Sequence, residues 1–433
     1  MNKQTKDIIT IGFALFAMFF GAGNLLLPPY IGIQIGDQVW TTILGFGLTG
    51  ILLPFFGLLA VVNSGERFED LANRVHPWLS PVLGTIILLC IGPLIAIPRT
   101  AATTHEVGIS PSFPSFSPVI SSVVFFIITW TLTIRPNRVV DIVGNILTPV
   151  LLILLICLIA LGIWAPIDAY GQTTLNTGES FTLGFVEGYQ TLDVLASVIF
   201  AGIIIAAANT KGYDSIKSKN RVVISSGILS AIALFIVYGG LIYLGATSGI
   251  SDLEIKRSEL LIRISNAVMG PYGTIAIAFA IALACLTTAI ALVSAVGVFF
   301  ENLSKGRISY KILVTVCCVI ACILSITGVD NIITFAYPIL IFVYPIAITL
   351  VLYTVFFGRL VQTKAPYVAA LAASTLVAVL SLLKELGWLS PDALMQLNQY
   401  IPFFRYELGW VVPSLIFFFG AWISSVRSRS NTK

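Results

Sequence analysis

The chain has 433 residues, 57 % of them hydrophobic and 10 % charged, with a formal net charge of +4. A soluble domain carries about 25 % charged residues, and a soluble fold of this length has no core large enough to hide so much apolar surface. The composition excludes a soluble enzyme and a nucleic-acid partner, and it predicts an all-α polytopic membrane protein built from runs of about 20 apolar residues, the length that crosses a bilayer.

Twelve such runs follow in chain order: 8–35, 39–62, 79–107, 118–134, 139–164, 182–209, 222–247, 271–300, 311–328, 331–357, 366–386 and 408–426. The first is too long for the apolar part of a signal peptide and lacks a small-residue cleavage site, so it reads as a span. It also interrupts itself. Met18–Tyr30 reads MFFGAGNLLLPPY. Glycine in a helix interior costs about 1 kcal/mol and proline about 3, and backbone groups freed inside lipid find no water. Pro28 lacks a donor and collides with the carbonyl of Asn24. A simple proline kink would explain the prolines but not a buried asparagine. The stretch therefore predicts a functional break at Gly21, Ala22, Gly23 and Asn24, with Pro28 and Pro29 keeping the helix open.

The second span contains GFGLTG, Gly45–Gly50, with Glu69 downstream. This matches a dinucleotide-binding fingerprint, which works only between a strand and a helix start. Inside a span the same small residues let helices approach closely. The third span holds IPRTAATTHEVG, Ile97–Gly108, which sets Arg99, Thr103 and Glu106 on one helix face. A basic residue inside a span marks function by default. The competing reading has this end of the helix meeting the outer water, with Arg99 reaching up to it.

The sixth span repeats the offence of the first. Phe185–Phe200 reads FVEGYQTLDVLASVIF, with Glu187, Gly188, Tyr189, Gln190, Thr191 and Asp193 ahead of an apolar run. A helix beginning only at Asp193 would be short for a span, so a broken helix with its polar gap at Gly188–Asp193 fits better. In the eighth span, ACLTTAIAL carries Thr287 and Thr288 at mid-length. Membrane threonines commonly bond the carbonyl one turn earlier. A place opposite the broken first span gives this pair a second reading, as ligands.

With the N-terminus inside and the spans alternating, all of the 24 Lys and Arg fall inside except Lys256, Arg257, Arg263, Lys384 and Arg405, which fall outside, and Arg99 within a span. Basic loops mark the cytoplasmic side, so both termini are expected there. Cys90, Cys157, Cys285, Cys317, Cys318 and Cys322 all lie within spans, show neither disulfide nor zinc spacing, and read as packing residues. The polar stretches, Asn63–Pro77, Ala165–Gly178, Lys211–Arg221, Ser248–Arg263 and Lys384–Tyr406, are too short for cores of their own. The whole of 1–433 therefore reads as one membrane domain.

Spans one and six hold matching places if the first ten form two repeats of five, about 7–164 and 181–357, with additional helices over 366–427. Five spans per repeat forces the repeats into opposite orientations, and paired interrupted segments point to a transporter's binding site. The motifs FALFAMFFGAGNLLLPP (Phe13–Pro29), GPLIAIPRTA (Gly92–Ala101), GFVEGYQTLD (Gly184–Asp193) and GVDNIITFAYPIL (Gly328–Leu340) carry a more specific signal. Over nearly its whole length the chain resembles the bacterial branched-chain amino acid:cation symporters, or branched-chain amino acid transport system II carriers, of the amino acid–polyamine–cation superfamily.

That resemblance implies the LeuT-type 5+5 inverted-repeat fold with helices 1 and 6 discontinuous. It implies uptake of leucine, isoleucine and valine across the bacterial plasma membrane, coupled to Na+ or, in some members, to H+, with no other cofactor. Both charges of a zwitterion need partners once desolvated. Backbone N–H groups at Gly21, Ala22, Gly23 and Asn24 are expected to face the carboxylate, helped by a helix N-terminus. Carbonyls at Gly188, Tyr189, Gln190 and Thr191 are expected to accept from the ammonium. Phe20, Phe200 and Ile95 are expected to wall an apolar pocket.

Matched onto the superfamily's common sodium site, the ligands are the carbonyls of Ala17, Phe20 and Ala284 and the hydroxyls of Thr287 and Thr288. Asn24 holds a second ion or braces the break. Arg99, Glu106, Glu187 and Asp193 are candidates for gating or proton coupling, with His105 a further titrating group. The alternatives are a proton-coupled carrier and a same-fold carrier of another small solute, such as a nucleobase or polyamine. An intramembrane enzyme is disfavoured, because His76 and His105 lie near opposite faces and complete no zinc or Ser–His arrangement.

Overall fold

The computed structural model describes residues 2–73, 75–135 and 143–430, and every regular element among them is helical. The expected start of the fifth span at 139, and the loop cations Arg74 and Arg138, lie outside the described residues. The first span is two helices, α1 (Lys3–Phe19) and α2 (Ala22–Ile35), bent by 66°. Next come α3 (Val39–Ser64), α4 (Leu79–Ile109), α5 (Pro118–Thr133) and α6 (Asn145–Trp164). The sixth span is also split, into α7 (Thr177–Glu187) and α8 (Asp193–Thr210). Beyond it lie α9 (Ile216–Ala246), α10 (Arg257–Met269), α11 (Gly273–Leu303), α12 (Tyr310–Ser325) and α13 (Val329–Phe357). The chain ends with α14 (Ala365–Glu385), α15 (Pro391–Tyr400) and α16 (Val411–Ser430).

Among the described residues, eight helical stretches are long and apolar enough to cross a membrane, the bent pair makes a ninth, and α5, α12 and α16 contribute three shorter apolar helices. This is a multi-pass membrane protein with the expected span order. Two short helices, α10 and α15, occupy stretches that the sequence presents as polar loops. α10 buries Leu260, Leu261 and Ile264 along one side, an amphipathic stripe too short to register as a span.

Lipid-facing and central helices differ in how their apolar residues are spent. α6 shows one exposed stripe, Ile146, Val150, Ile153, Cys157 and Leu161, and α12 another, Ile312, Val316, Val319 and Ile323. By contrast, every residue from Asp193 to Ala201 in α8 and from Thr287 to Gly297 in α11 is buried, as is Ala14–Phe20 at the end of α1. A helix apolar all round and buried all round belongs at the centre of a bundle.

Sequence cues locate the ends of the sixth-span break. Asn176 and Glu179 form a capping box, with Glu179 N donating to Asn176 Oδ1 at 3.0 Å and Asn176 N to Glu179 Oε2 at 2.9 Å. That box starts α7 as a helix in its own right, so the residues before Asp193 are not an extended loop. In the first span the break falls at the edge of the expected Gly21–Asn24, away from the two prolines. Pro28 and Pro29 sit inside continuous α2, and the chain opens at Phe20–Gly21 instead.

The small residues of GFGLTG act in packing. A β-carbon on Gly45 would overlap the Phe181 carbonyl, and one on Gly184 would overlap the Thr42 carbonyl, so α3 and α7 touch backbone to backbone. Hydroxyls stitch the same seam, Thr42 Oγ1 to Ser180 O at 3.2 Å and Thr49 Oγ1 to Phe185 O at 2.8 Å. Dispersion and hydrogen bonds, not exclusion of water, hold helices together in lipid. Gly45→Val is therefore expected to destabilise the protein by about 1–3 kcal/mol, read as a lower melting temperature in detergent. Leu44→Ala, at a side chain 61 % exposed on the adjoining face, should leave the melting temperature unchanged.

Candidate functional site

The break in the first span is two residues long and changes where the backbone bonds go. Phe20 N still donates to Phe16 O at 2.8 Å, but Gly21 N turns to Phe19 O at 2.8 Å. A continuing helix would have used the Ala17 carbonyl. Regular bonding resumes with Leu25 N to Gly21 O at 3.3 Å. The break thus frees the Ala17 carbonyl on one side. On the other it leaves the first turn of α2, Ala22 to Asn24, with N-terminal N–H groups and no side-chain cap.

α11 supplies partners for the freed carbonyl. Thr287 Oγ1 lies 3.2 Å from Ala17 O and 3.0 Å from Ala284 O, and Thr288 Oγ1 lies 3.1 Å from Ala17 O and 3.4 Å from Met18 O. Thr287 makes the ordinary back-bond as well as the contact across to α1. Oxygens about 2.3–2.6 Å from one hard cation stand roughly 3.2–3.7 Å apart at right angles. The oxygen separations here approach that spacing, so the cluster is a chemically fitting set of neutral ligands for a monovalent cation. No hydrogen bond joins Phe20 to it. The Phe20 ring stacks 5.2 Å from Phe16 and 5.8 Å from Tyr238.

The second break is a turn, Gly188–Thr191, followed by Leu192 in the left-handed region at φ 67°. A non-glycine residue there is strained and clusters at functional sites. Thr191 Oγ1 donates to Gly188 O at 2.9 Å and Leu192 N to Tyr189 O at 3.2 Å, so two of the carbonyls expected to face an ammonium are already engaged. Asp193 opens α8 and points back at the first break. Asn24 Nδ2 donates to Asp193 Oδ2 at 2.6 Å and to the Tyr238 hydroxyl at 2.5 Å, and that hydroxyl lies 3.4 Å from Asp193 Oδ2. Asn24, Asp193 and Tyr238 are 2 %, 3 % and 1 % exposed. Their cluster ties both breaks to α9.

A central cavity lies between the breaks. Asn24, Arg99, Thr191, Asp193 and Thr288 form its polar side, and Met18, Phe19, Ile91, Phe200 and Leu292 its apolar side. Its free volume is ≈ 30 Å³, about the share of a single water. Beyond Arg99 opens a larger vestibule of ≈ 340 Å³, lined in part by Gly23, Tyr30, Thr103, Glu106, Gln190 and Arg257. Tyr30 OH donates to Leu253 O at 2.8 Å and Arg257 stands 4.9 Å over the Tyr30 ring, which roofs one side. Past Phe200 and Leu292, toward the end of the bundle that carries Lys3, lies a cavity of ≈ 310 Å³ bordered by Arg67, Glu69, Ile203, Lys211 and Phe299. At that end Tyr213 OH donates to Asp7 Oδ2 at 2.9 Å, Lys211 stands 3.6 Å from Asp7 Oδ1, and Lys219 pairs with Glu66.

The structure sorts the sequence-expected residues. Gly21, Asn24, Thr191, Phe200 and Thr288 line the central cavity, together with Arg99 and Asp193. Gly23 lies against Arg99 at the edge of the vestibule. Gly188 faces Thr49 of α3, where a β-carbon would collide. Tyr189 meets Tyr344 edge-on at 5.6 Å and shares a side cavity with Gln190 and Trp410. Phe20 and Ile95 are buried outside the pocket they were expected to wall. Phe19 and Met18 stand there instead, because the bend turns them inward.

Glu106 accepts from Val329 N at 2.9 Å, the first residue of α13, and so caps that helix. Glu187 lines neither the central cavity nor the vestibule, and among the described residues its buried Oε2 has no hydrogen-bond partner. Tyr238 is a member of the candidate site that the sequence alone does not single out. Its signal was a phenol at mid-length of a long apolar helix, since a buried tyrosine hydroxyl needs a partner.

Two discontinuous helices crossing at a closed central cavity, with a larger cavity toward each end, define a membrane transport protein of the LeuT type. The fold comparisons agree. The chain is similar to Mhp1, a nucleobase-cation-symport-1 family transporter in a closed conformation with bromovinylhydantoin bound, with a TM-score of 0.62 and 14 % identity over 97 % of this chain and 93 % of that one. It is also similar to MhsT in complex with L-phenylalanine, with a TM-score of 0.57 and 16 % identity over 96 % and 98 % of the two chains. A Na+-coupled sialic acid symporter in a substrate-bound outward-open state matches with a TM-score of 0.58 and 15 % identity, over 96 % and 89 %.

Residues 4–427 match the family described as branched-chain amino acid transport protein, and the chain belongs to that family. Among its relatives is the branched-chain amino acid permease BraB of Bacillus subtilis (strain 168), 35 % identical over 421 residues, which are 96 % of this chain and 94 % of BraB. Another is the branched-chain amino acid permease BrnQ of the same organism, 34 % identical over 425 residues and 96 % of both chains. The protein is a transporter, not an enzyme.

Tyr238→Phe removes one hydroxyl from the cluster that joins the breaks. It is expected to cost about 1–3 kcal/mol, measured as a fall in melting temperature in detergent, whereas Tyr272→Phe at a side chain 75 % exposed should cost nothing measurable.

Proposed function

We propose that this protein is a secondary active symporter that takes up leucine, isoleucine and valine across a bacterial plasma membrane, driven by Na+, with both termini in the cytoplasm. The observation that carries the reading is the two-residue break after Phe19. It offers the Ala17 carbonyl to Thr287 and Thr288 on one side and the N-terminal turn of α2 to the central cavity on the other. The names of the relatives support the substrate class, and the excess of basic residues in the loops taken as cytoplasmic supports the orientation.

An apolar wall of Met18, Phe19, Phe200 and Leu292 suits an aliphatic side chain and demands no hydrogen bond from it. Such a wall separates homologous chains only weakly, since one methylene is worth about 1–3 kcal/mol. Grouped recognition of leucine, isoleucine and valine follows. Sodium held by the carbonyls of Ala17 and Ala284 and the hydroxyls of Thr287 and Thr288 would bridge α1 to α11. Its binding would favour the conformations in which these helices meet, which are the ones that form the cavity, and a ligand shifts an equilibrium by its preference for one state.

One observation favours H+ as coupling ion instead: the Asp193 carboxylate is buried between the two breaks. The test is uptake of labelled leucine, isoleucine and valine into proteoliposomes, with sodium and pH gradients imposed separately. Accumulation on the sodium gradient alone is expected, and accumulation on the pH gradient alone would give the coupling to Asp193. Thr288→Val should abolish sodium stimulation while the protein remains folded. Unchanged sodium dependence in that variant would remove the threonine pair from the ion site.

A further inference from the structure

The central cavity carries one positive and one negative side chain that do not pair with each other. Among the described residues the Arg99 guanidinium makes no hydrogen bond or ion pair, although it lines the cavity. Its head lies so close to Gly23 that a β-carbon there would overlap Nη2. This sets the guanidinium beside the uncapped first turn of α2. Two positive features therefore converge on one space. On the other wall stands Asp193, whose Oδ2 is engaged by Asn24 and Tyr238. These neutral partners orient the carboxylate at the cavity wall.

We propose that Arg99 and Asp193 form a clamp for the zwitterion of an α-amino acid, Arg99 holding the carboxylate and Asp193 the ammonium. The inference rests on the reading of the central cavity as an amino acid site, and it replaces helix-6 carbonyls with a side chain as the ammonium's principal partner. Separated charges away from water are costly unless each finds a counter-charge. Inserting a zwitterion supplies both at once. A guanidinium also fits a carboxylate with two parallel hydrogen bonds, which adds direction to the attraction.

The clamp has two consequences. Uncharged isosteres at either end leave a buried charge unpaired, so amides and simple acids are rejected more strongly than a wrong side chain. In addition, Arg99 borders both the central cavity and the outer vestibule. Drawing its head onto a bound carboxylate closes the path behind the substrate.

The experiment is competition binding on the purified full-length protein. Labelled leucine is displaced by leucine, by leucinamide (no carboxylate charge) and by 4-methylpentanoate (no ammonium). The wild type is expected to prefer leucine over each analogue by roughly 100-fold or more, the scale set by leaving a buried polar group unpaired. Arg99→Gln should shrink the leucine-to-leucinamide preference at least ~10-fold while leaving the preference over 4-methylpentanoate intact, and Asp193→Asn should do the reverse. Arg99→Lys, which keeps the charge, should restore part of the first preference. Gly23→Ala keeps both charges but displaces the guanidinium, and should shift the ratio in the same direction as Arg99→Gln.

Unaltered ratios in Arg99→Gln or Asp193→Asn, or equal losses toward both analogues in each, would overturn the clamp while leaving the leucine site standing. Wild-type protein that binds none of the three branched-chain amino acids would instead overturn the functional reading beneath it.

Discussion

Inside a bilayer every backbone group that leaves a helix must find a partner within the protein, and this constraint organises the centre of the molecule. A break in a spanning helix is otherwise prohibitive, because water is not there to take the freed carbonyls and N–H groups. Here the freed Ala17 carbonyl meets two threonine hydroxyls of α11. The freed N-terminal turn of α2 faces a polar cavity rather than lipid. The second break resolves its own turn with Thr191 Oγ1 on Gly188 O. Each partner is exchangeable, since a hydroxyl bonded to a carbonyl can turn its oxygen to a cation at small cost. The same groups that make the broken helix tolerable are the ones proposed to bind cargo.

The two breaks are also one object. Asn24 belongs to α2, Asp193 to α8 and Tyr238 to α9, and their side chains meet in one buried cluster. Polar groups this deep carry a high cost when parted, so the cluster holds α2, α8 and α9 together. Motion of the kind alternating access requires must then fall on other joints. The polar contacts of Asp7 with Lys211 and Tyr213 at one end, and of Tyr30 with Leu253 and Arg257 at the other, lie away from that cluster, where joints that open and close would sit.

Much of this was legible in the sequence, and the failures have physical causes. Span order came through because bilayer crossing is a one-dimensional demand on apolar length. The sixth-span break was visible as an uninterrupted polar run, and the capping pair Asn176 and Glu179 fixes where its first half begins. The first break was legible at Gly21–Asn24, but Pro28 and Pro29, expected to keep it open, lie further along inside α2. Proline costs a helix one hydrogen bond locally, but α2 continues through both, and the chain opens earlier, where two glycines flank the turn. Phe20 and Ile95 were misassigned to the pocket because the side of a helix that faces a cavity depends on the 66° bend and on the kink of α4 at Gly92 and Pro93. Local sequence does not encode those rotations. Tyr238 was overlooked for a different reason: one tyrosine in a long apolar helix carries no pattern until its partners on two other helices are known.

In the symport proposed above, the same arrangement would couple an ion and a neutral zwitterion without contact between them. The carbonyl that contacts Thr287 and Thr288 and the N-terminal turn that borders the cavity belong to the two sides of one two-residue break. Straightening the helix would return Ala17 O to Gly21 N and bury the first turn of α2 in ordinary helical bonding. The proposed cation site and the proposed substrate site therefore exist only in the same backbone state. An occupant of either one favours that state and so favours the other, by the reciprocity that any linked pair of sites obeys. Coupling of this kind needs no relay of side chains between the sites, only a helix whose break serves both.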